Sequence, residues 1–442
     1  MVTVSSLMQG AKNDLAQLVA IPSVSSPGFP EPRNHILDAY ELVVELLRDA
    51  GVADVHALEL PDTAPVIVGG IPAPEGAPTV LLYSHYDVVP PGDETLWSSE
   101  PFVATERDGA IFGRGTADSK SNVIAHIGAL RAWEGKPPVG IKVVIEGQEE
   151  VGGGGLTDHV LAHPEDFGAD AMVIGDMGSV RPGVPTLTVA LRGMAMVEIE
   201  VRTLAGAKHS GQFGGAAPDA LLVVLRALAS LHDDNGDVAV EGLRREPWTG
   251  ESYSDDEFRS LAEVLDGLPL QGTGDLGSRV WSGPAITVTG IDVPSVDNAL
   301  NAVSPHARAV INLRVHPEQD AGEAQAALVR HLEAVRPFGV ALSVRSGATG
   351  NGFAARTSGR AYDAARAAWE AAWGKPPVTA AGGGSIPLVN ALQAAAPDAE
   401  ILLVGTTDGY ANIHAPDERV LIDEFERAIV AEAEFFERYA SR

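Results

Sequence analysis

The sequence contains no cysteine among its 442 residues. That excludes disulfides and thiolate metal ligands, and it fits a reducing cytoplasm. Positive charge is also scarce: 31 lysines and arginines face 60 aspartates and glutamates, for a formal net charge of −29. A surface of that sign repels phosphates, so nucleic acid is not an expected partner, and the plain reading is a solvated acidic exterior. Long apolar runs are missing as well, because charge, glycine or proline interrupts each one, so no membrane span is expected. The first residues, MVTVSSLMQGAKNDLAQLVAIPSVS, lack the basic start and apolar centre of a signal peptide and read as an amphipathic helix. No internal repeat or low-complexity tract stands out. What is present is an ordinary apolar share, enough for a sizeable core, on a chain whose length suggests two domains.

Two kinds of strand pattern divide the chain. Pro78–Ser84, Ile141–Ile145 and Asp170–Asp176 are built on continuous apolar runs, as expected of strands buried on both faces in a parallel sheet under helices. Between them, Asn122–Trp133 carries Val123, Ile124, Ile127 and Leu130 at helical spacing. Met196–Thr203 and Ala307–His316 alternate instead: Val197, Ile199 and Val201 lie on one face, and Glu198, Glu200 and Arg202 on the other. Such strands belong to a sheet covered on one side only. Helical patterns follow at Asp219–Leu231 and Asp320–Val335, and the stretch 233–283 is polar and Gly-rich with little periodicity. The first pattern returns with a helix at Gly359–Trp373 and a strand at Ala399–Gly405. The expected fold is α/β with a mostly parallel central sheet over residues 1–183 and 354–442, interrupted by an inserted two-layer α+β domain over 184–353.

The ends of the buried runs carry the chemistry. His85 and Asp87 follow the first, Glu149 and Glu150 the second, Asp176 the third, and His414 lies beyond the strand at Ala399–Gly405. Asp118 stands just before the Asn122 helix. In open α/β sheets ligands bind beyond the carboxyl ends of the strands, so these residues converge on one edge. Residues two apart on extended chain face the same way, which lets Asp87 hold His85. Adjacent carboxylates such as Glu149 and Glu150 repel unless cations neutralise them. Nitrogen and carboxylate donors without thiolate suit Zn²⁺, Mn²⁺ or Co²⁺, and two histidines with three carboxylates suffice for two ions that share a carboxylate. One further carboxylate is then left to act as general base. Each residue alone has a plainer explanation: His85 as a satisfied core histidine, Asp118 as a helix-start residue, Asp176 as a turn former, His414 and the glutamates as surface loop groups. Together, on one edge, they form a constellation that none of these single explanations covers.

Eight stretches (SHYDVVPPGD, GRGTADSK, EGQEEVGGGGL, IGDMG, HSGQFGG, LRVHPEQD, GGGSIP and NIHAPDE) resemble, in this order, the M20 family of metallopeptidases over most of the chain. EGQEE, the LRG at Leu191 and HSGQFGG look most like its dipeptidase branch, which includes carnosinase-type enzymes. The resemblance implies a zinc-peptidase-like catalytic domain with an inserted lid. It implies two divalent ions, with zinc the first expectation and manganese or cobalt the alternatives. Asp118 would bridge them, His85 and Asp176 would complete one site, and Glu150 and His414 the other. Asp87 would orient His85, and Glu149 would be the general base. The lid would supply His209 and Arg314. Asn301, Gly383, Gly384 and Ser385 would lie beside the substrate, and the peptide after Asp118 would be cis. Two lids would pair in a homodimer, each offering His209 to the other subunit's metals.

Elementary chemistry suits those lid roles. Arg314 lies on the polar face of its strand, where a guanidinium can clasp a carboxylate through two hydrogen bonds; the plain alternative is a surface arginine paired with an acid. His209 sits among glycines that let backbone approach a ligand, and it can donate to an oxyanion; the alternative is a turn histidine. The expected reaction is hydrolysis of an amide bond next to a free carboxylate, with dipeptides as the leading substrates. N-acyl-amino-acid or N-succinyl deacylation on the same scaffold is the alternative reaction. A non-catalytic carboxylate- or metal-binding protein is the alternative of another class. A purely structural protein has no reason to gather these carboxylates on one edge.

Overall fold

The computed structural model describes residues 2–25, 33–152, 155–384 and 386–441. In chain order, the strands of the two main sheets are β1 (His56–Leu58), β2 (Val66–Ile71), β3 (Thr79–His85), β4 (Gly140–Glu146), β5 (Ala171–Gly175), β6 (Thr186–Leu191), β7 (Gly193–Arg202), β8 (Ala285–Asp292), β9 (His306–Val315), β10 (Ser343–Gly350) and β11 (Glu400–Val404). The helices that concern us are α1 (Met8–Val19), α2 (Arg33–Asp49), α3 (Lys120–Ala132), α4 (Ala220–Ala229), α5 (Ala321–Ala334), α6 (Arg360–Trp373) and α7 (Ile422–Ala440).

The chain divides into two units: Met1–Val189 with Ala355–Ala380 and Ile386–Arg442, and Ala190–Ala354 with Ala381–Ser385. The change of strand pattern along the sequence places the boundaries at 183/184 and 353/354. The difference at the first arises because β6 pairs with β11 through Thr188 and Leu403, which keeps most of that strand in the first unit.

In the first unit the strands run in the order β1-β2-β4-β3-β5-β11-β6. The middle four are mutually parallel, while β2 and β6 join them antiparallel. The apolar runs explain the middle: every residue of β5 and β11 is buried, and all but Thr79 of β3. Because β4, β3, β5 and β11 are parallel, their carboxyl ends share one edge. Helix α3 packs on β3 and β5 and against α1 and α7. Helical spacing locates it, and all its residues except Arg131 are buried. Its polar residues survive burial by pairing: Asn122 accepts from the Thr406 N–H at 2.8 Å, and His126 meets Glu432 at 2.8 Å.

The second unit has an antiparallel sheet, β8-β9-β7-β10, with α4 and α5 against one face. Val197, Ile199 and Val201 are buried there with Ala307, Ala309, Ile311 and Leu313. The other face carries ion pairs between Glu198 or Glu200 and Arg345, Arg308 and His306. The stretch 233–283, which shows little periodicity, contains two short helices, Asp255–Leu261 and Leu276–Val280. The first opens on a capping box between Ser254 and Glu257, a legible signal that periodicity alone passes over. Among the described residues no helix is long and apolar enough to cross a membrane.

Candidate metal centre

The shared edge of the parallel strands assembles two donor groups. His85 ends β3 fully buried, with Nε2 3.0 Å from Asp118 Oδ1 and 3.2 Å from Asp176 Oδ1. His414 Nε2 lies 3.2 Å from Asp118 Oδ2 and 2.9 Å from Glu150 Oε2. The two oxygens of Asp118 therefore face different histidines. Within each trio, His85/Asp118/Asp176 and Asp118/Glu150/His414, the donor atoms lie within 4.8 Å of one another. Asp118 is held just ahead of α3, and the Asp118–Ser119 peptide is cis. His414 reaches its place from a turn in which its own φ is +61°, in the left-handed region.

Charge in this pocket is unbalanced. Burial pulls the His85 imidazole down, but Asp176, Asp118 and Asp87 together drive it well above its usual value. Hydrogen bonds to Asp118 and Glu150 lift His414 to about 10. Burial pushes Asp118 up, but His414 and His85 hold it well below the ordinary carboxylate range. Burial, with repulsion from neighbouring carboxylates, pushes Asp176 to about 6 and Glu149 to about 9. Bound cations would relieve that repulsion. Glu150 supplies the test of fit: its Oε1 is buried and has no hydrogen-bond partner among the described residues, although Oε2 meets His414. A carboxylate oxygen left in that state is costly, and a cation satisfies it. The donor set is imidazole and carboxylate, which fits zinc, manganese or cobalt.

Neighbouring residues fix these side chains. Asp87 is fully buried, with Oδ1 3.3 Å from His85 Nδ1. Its carboxylate also accepts the backbone N–H groups of Glu149 and Glu150, both at 3.2 Å. One side chain thus orients the histidine and holds the turn that carries both glutamates. The carboxylate of Glu149 makes no ion pair among the described residues.

Sequence reasoning missed three supports. Glu418, wholly buried, accepts the N–H groups of Gly115, Ala117 and Asp118 at 2.8–3.0 Å and pairs with Arg114 at 2.6 Å. It anchors the loop that presents Asp118. Arg114 and Glu418 both stand inside quoted motifs, but 304 positions separate them, and no local pattern pairs them. Glu146, opposite His85 on β4, is buried and accepts from the Tyr83 hydroxyl at 2.7 Å. Burial raises its carboxyl to about 7.

The remaining expected residues belong to the second unit. His209 pairs with Ala302 across a short two-stranded ladder, and Asn301 accepts the Ser210 N–H at 2.8 Å, so His209 and Asn301 are neighbours. His209 Nδ1 accepts the Gly211 N–H at 3.1 Å, which leaves Nε2 to carry the ring proton of the neutral form. Arg314 lies on β9 opposite Met194, half-buried, with no ion pair among the described residues. Gly383 and Gly384 are exposed, and Ser385 lies outside the described residues.

Residues 81–438 match the sequence model of Peptidase family M20/M25/M40. A cysteinylglycine-S-conjugate dipeptidase of Corynebacterium striatum is 42% identical over 434 residues, covering 96% of this chain and 94% of the relative. A Beta-Ala-His dipeptidase of Rattus norvegicus is 28% identical, covering 86% of this chain and 82% of its own. Human carnosine dipeptidase 1 superposes with a TM-score of 0.83 at 24% identity, covering 99% of this chain and 98% of its own. The di-peptidase Dug1p of Saccharomyces cerevisiae superposes at 0.82 and 23%, covering 100% and 98%.

Proposed function

Because the chain belongs to peptidase family M20/M25/M40 and is a metal-dependent dipeptidase, we propose that it works with two divalent cations, zinc first, and cleaves dipeptides that keep a free terminal carboxylate. The observation that carries the dinuclear reading is Asp118, whose two oxygens serve two separate donor pairs. His85 and Asp176 would hold one ion, Glu150 and His414 the other. When bound, the ions acidify a water and polarise the scissile carbonyl.

The chain's own residues do the rest. Glu149 takes the proton of the attacking water and returns it to the leaving amine, a role supported by its lack of an ion-pair partner. His209 Nε2–H donates to the oxyanion. Arg314, with no carboxylate partner among the described residues, binds the substrate carboxylate, and Asn301 and the Gly383–Gly384 backbone line its place. The C. striatum relative's name points to cysteinylglycine-type substrates with a small C-terminal residue. We take the enzyme to be a cytoplasmic homodimer in which His209 serves the other subunit.

The test is metal stoichiometry with activity. Chelated protein should be inactive. Titration with Zn²⁺ or Mn²⁺ should restore cleavage of cysteinylglycine with about two ions per chain, and N-acyl amino acids should be poor substrates. Full activity at one ion per chain would exclude the shared-Asp118 arrangement. Preference for N-acyl amino acids would establish the deacylase alternative.

A further inference from the structure

Arg192 lies immediately before β7 and is 9% exposed. A guanidinium stays protonated at any ordinary pH, so this is a buried positive charge. Structural arginines in such places pair with a carboxylate, because an unpaired buried charge is strongly destabilising. Arg192 has no such partner among the described residues. Its one side-chain hydrogen bond there is a 3.5 Å contact from Nη1 to the Gly283 carbonyl, and its Nε has none.

A second cation, Arg314, makes the situation worse. Met194 stands directly opposite Arg314 in the β7/β9 register, and Arg192 is two residues before Met194. Residues two apart on extended chain share a face, so the two guanidiniums share one. Burial first, and Arg314 second, push Arg192 down to about 10. Gly382 approaches as well, its carbonyl accepting the Arg192 backbone N–H at 3.1 Å. At Gly383 a Cβ would lie 3.5 Å from Arg192 Nη2, with no other atom of the described residues outside its chain neighbours within 4 Å, so glycine leaves the space beside the guanidinium open. Two uncompensated cations beside open glycine backbone form a receptor for an anion.

We propose that Arg192 is a second carboxylate-binding residue, which together with Arg314 holds the terminal carboxylate of the dipeptide substrate. This rests on the dipeptidase reading above. It adds that the ligand-free protein carries an unneutralised charge that only substrate relieves.

The experiment uses the metal-loaded enzyme with cysteinylglycine and its C-terminal amide. Arg192→Met keeps the bulk of the side chain and removes the charge. KM for the free acid should rise roughly 10- to 100-fold with kcat little changed, the scale of a lost charged hydrogen bond. Hydrolysis of the amide should stay at the wild-type level. The Tm of the ligand-free variant should hold or rise, because a buried unpaired charge is gone; a merely structural arginine would lower it. Arg192→Lys keeps the charge without the planar fork and should lie between Met and wild type in KM. If Arg192→Met shows an unchanged KM for the acid, or loses acid and amide alike with a lowered Tm, Arg192 is structural and the inference fails. If Arg192→Met does not fold, wild-type acid-to-amide discrimination in Arg192→Lys overturns it in the same way. If the wild type itself cleaves acid and amide equally, the carboxylate reading falls and takes this inference with it.

Discussion

Asp118 shows how much one side chain has to satisfy here. Each of its oxygens faces a different imidazole, its backbone N–H goes to Glu418, and its carboxyl is drawn well below the usual range by the two histidines despite burial. Unlike Asp87, Asp118, Glu150 and Asp176, Glu149 has no histidine or arginine partner among the described residues. We therefore expect Glu149→Gln to fold and to hold metal at wild-type stoichiometry while kcat falls about 10²- to 10⁴-fold, as removal of a general base does. Steady-state kinetics alongside elemental analysis checks this; near-wild-type turnover would assign the base elsewhere. The spacing of His85, Asp87, Glu149, Glu150 and Asp176 after apolar runs is visible in the sequence because each follows its strand within a few residues. The place of Glu418 under Asp118 is not, since that contact joins residues 300 positions apart.

At the scale of the element, α3 is the central wedge. It stands between the sheet and helices α1 and α7, and its docking on α7 includes a polar contact. His126 Nδ1 lies 2.8 Å from Glu432, and Nε2 lies 3.0 Å from the Tyr83 carbonyl, so the doubly protonated ring satisfies both acceptors. Burial pulls His126 down, but Glu432 and the Tyr83 carbonyl leave it raised above its ordinary value. The sign follows directly. A histidine raised on folding stabilises the native state fully below its unfolded pKa, near ~6.5, and that stabilisation fades as pH climbs through the higher folded value. The Tm gap between wild type and Glu432→Gln should thus be largest below about pH 6.5 and shrink as pH rises. Thermal melts of both proteins across that range provide the check, and a gap that widens with pH would contradict the pairing. Helical periodicity locates α3, but it says nothing of what its polar residues meet. Asn122 and His126 are buried because α7 and the Thr406 segment, far along the chain, bring partners to them.

At the scale of the whole molecule the open question is assembly. His209 is exposed in the second unit, with its Nε2 left to donate. If it serves the other subunit's centre, mixed dimers report it. One subunit carries His209→Ala and the other Glu149→Ala. Action across the dimer restores one complete site in each mixed dimer, so about half of the wild-type activity per mixed dimer is expected. Action within one chain leaves every site short of one group, and confirmed mixed dimers stay as inactive as their parents. Light scattering at assay concentration supplies the second check, because a fully active monomer would exclude exchange of His209.

What the sequence determines by itself is whatever is local in the chain. Two-sided burial of β3, β5 and β11 shows in continuous apolar runs, one-sided burial of β7 and β9 shows in alternation, and the ligand-type residues stand where those runs end. Hydrophobic period and strand-end position are properties of a few consecutive residues, so they survive in one dimension. What only the tertiary structure decides is pairing. It sets which oxygen of Asp118 meets which histidine, that Asp87 holds the Glu149–Glu150 turn as well as His85, that Glu418 and Arg114 close on each other, and that Arg192 is buried near Arg314 with no acid to match it among the described residues. These contacts depend on how buried groups from remote segments satisfy one another once water is excluded, and that is settled by packing rather than by any pattern along the chain.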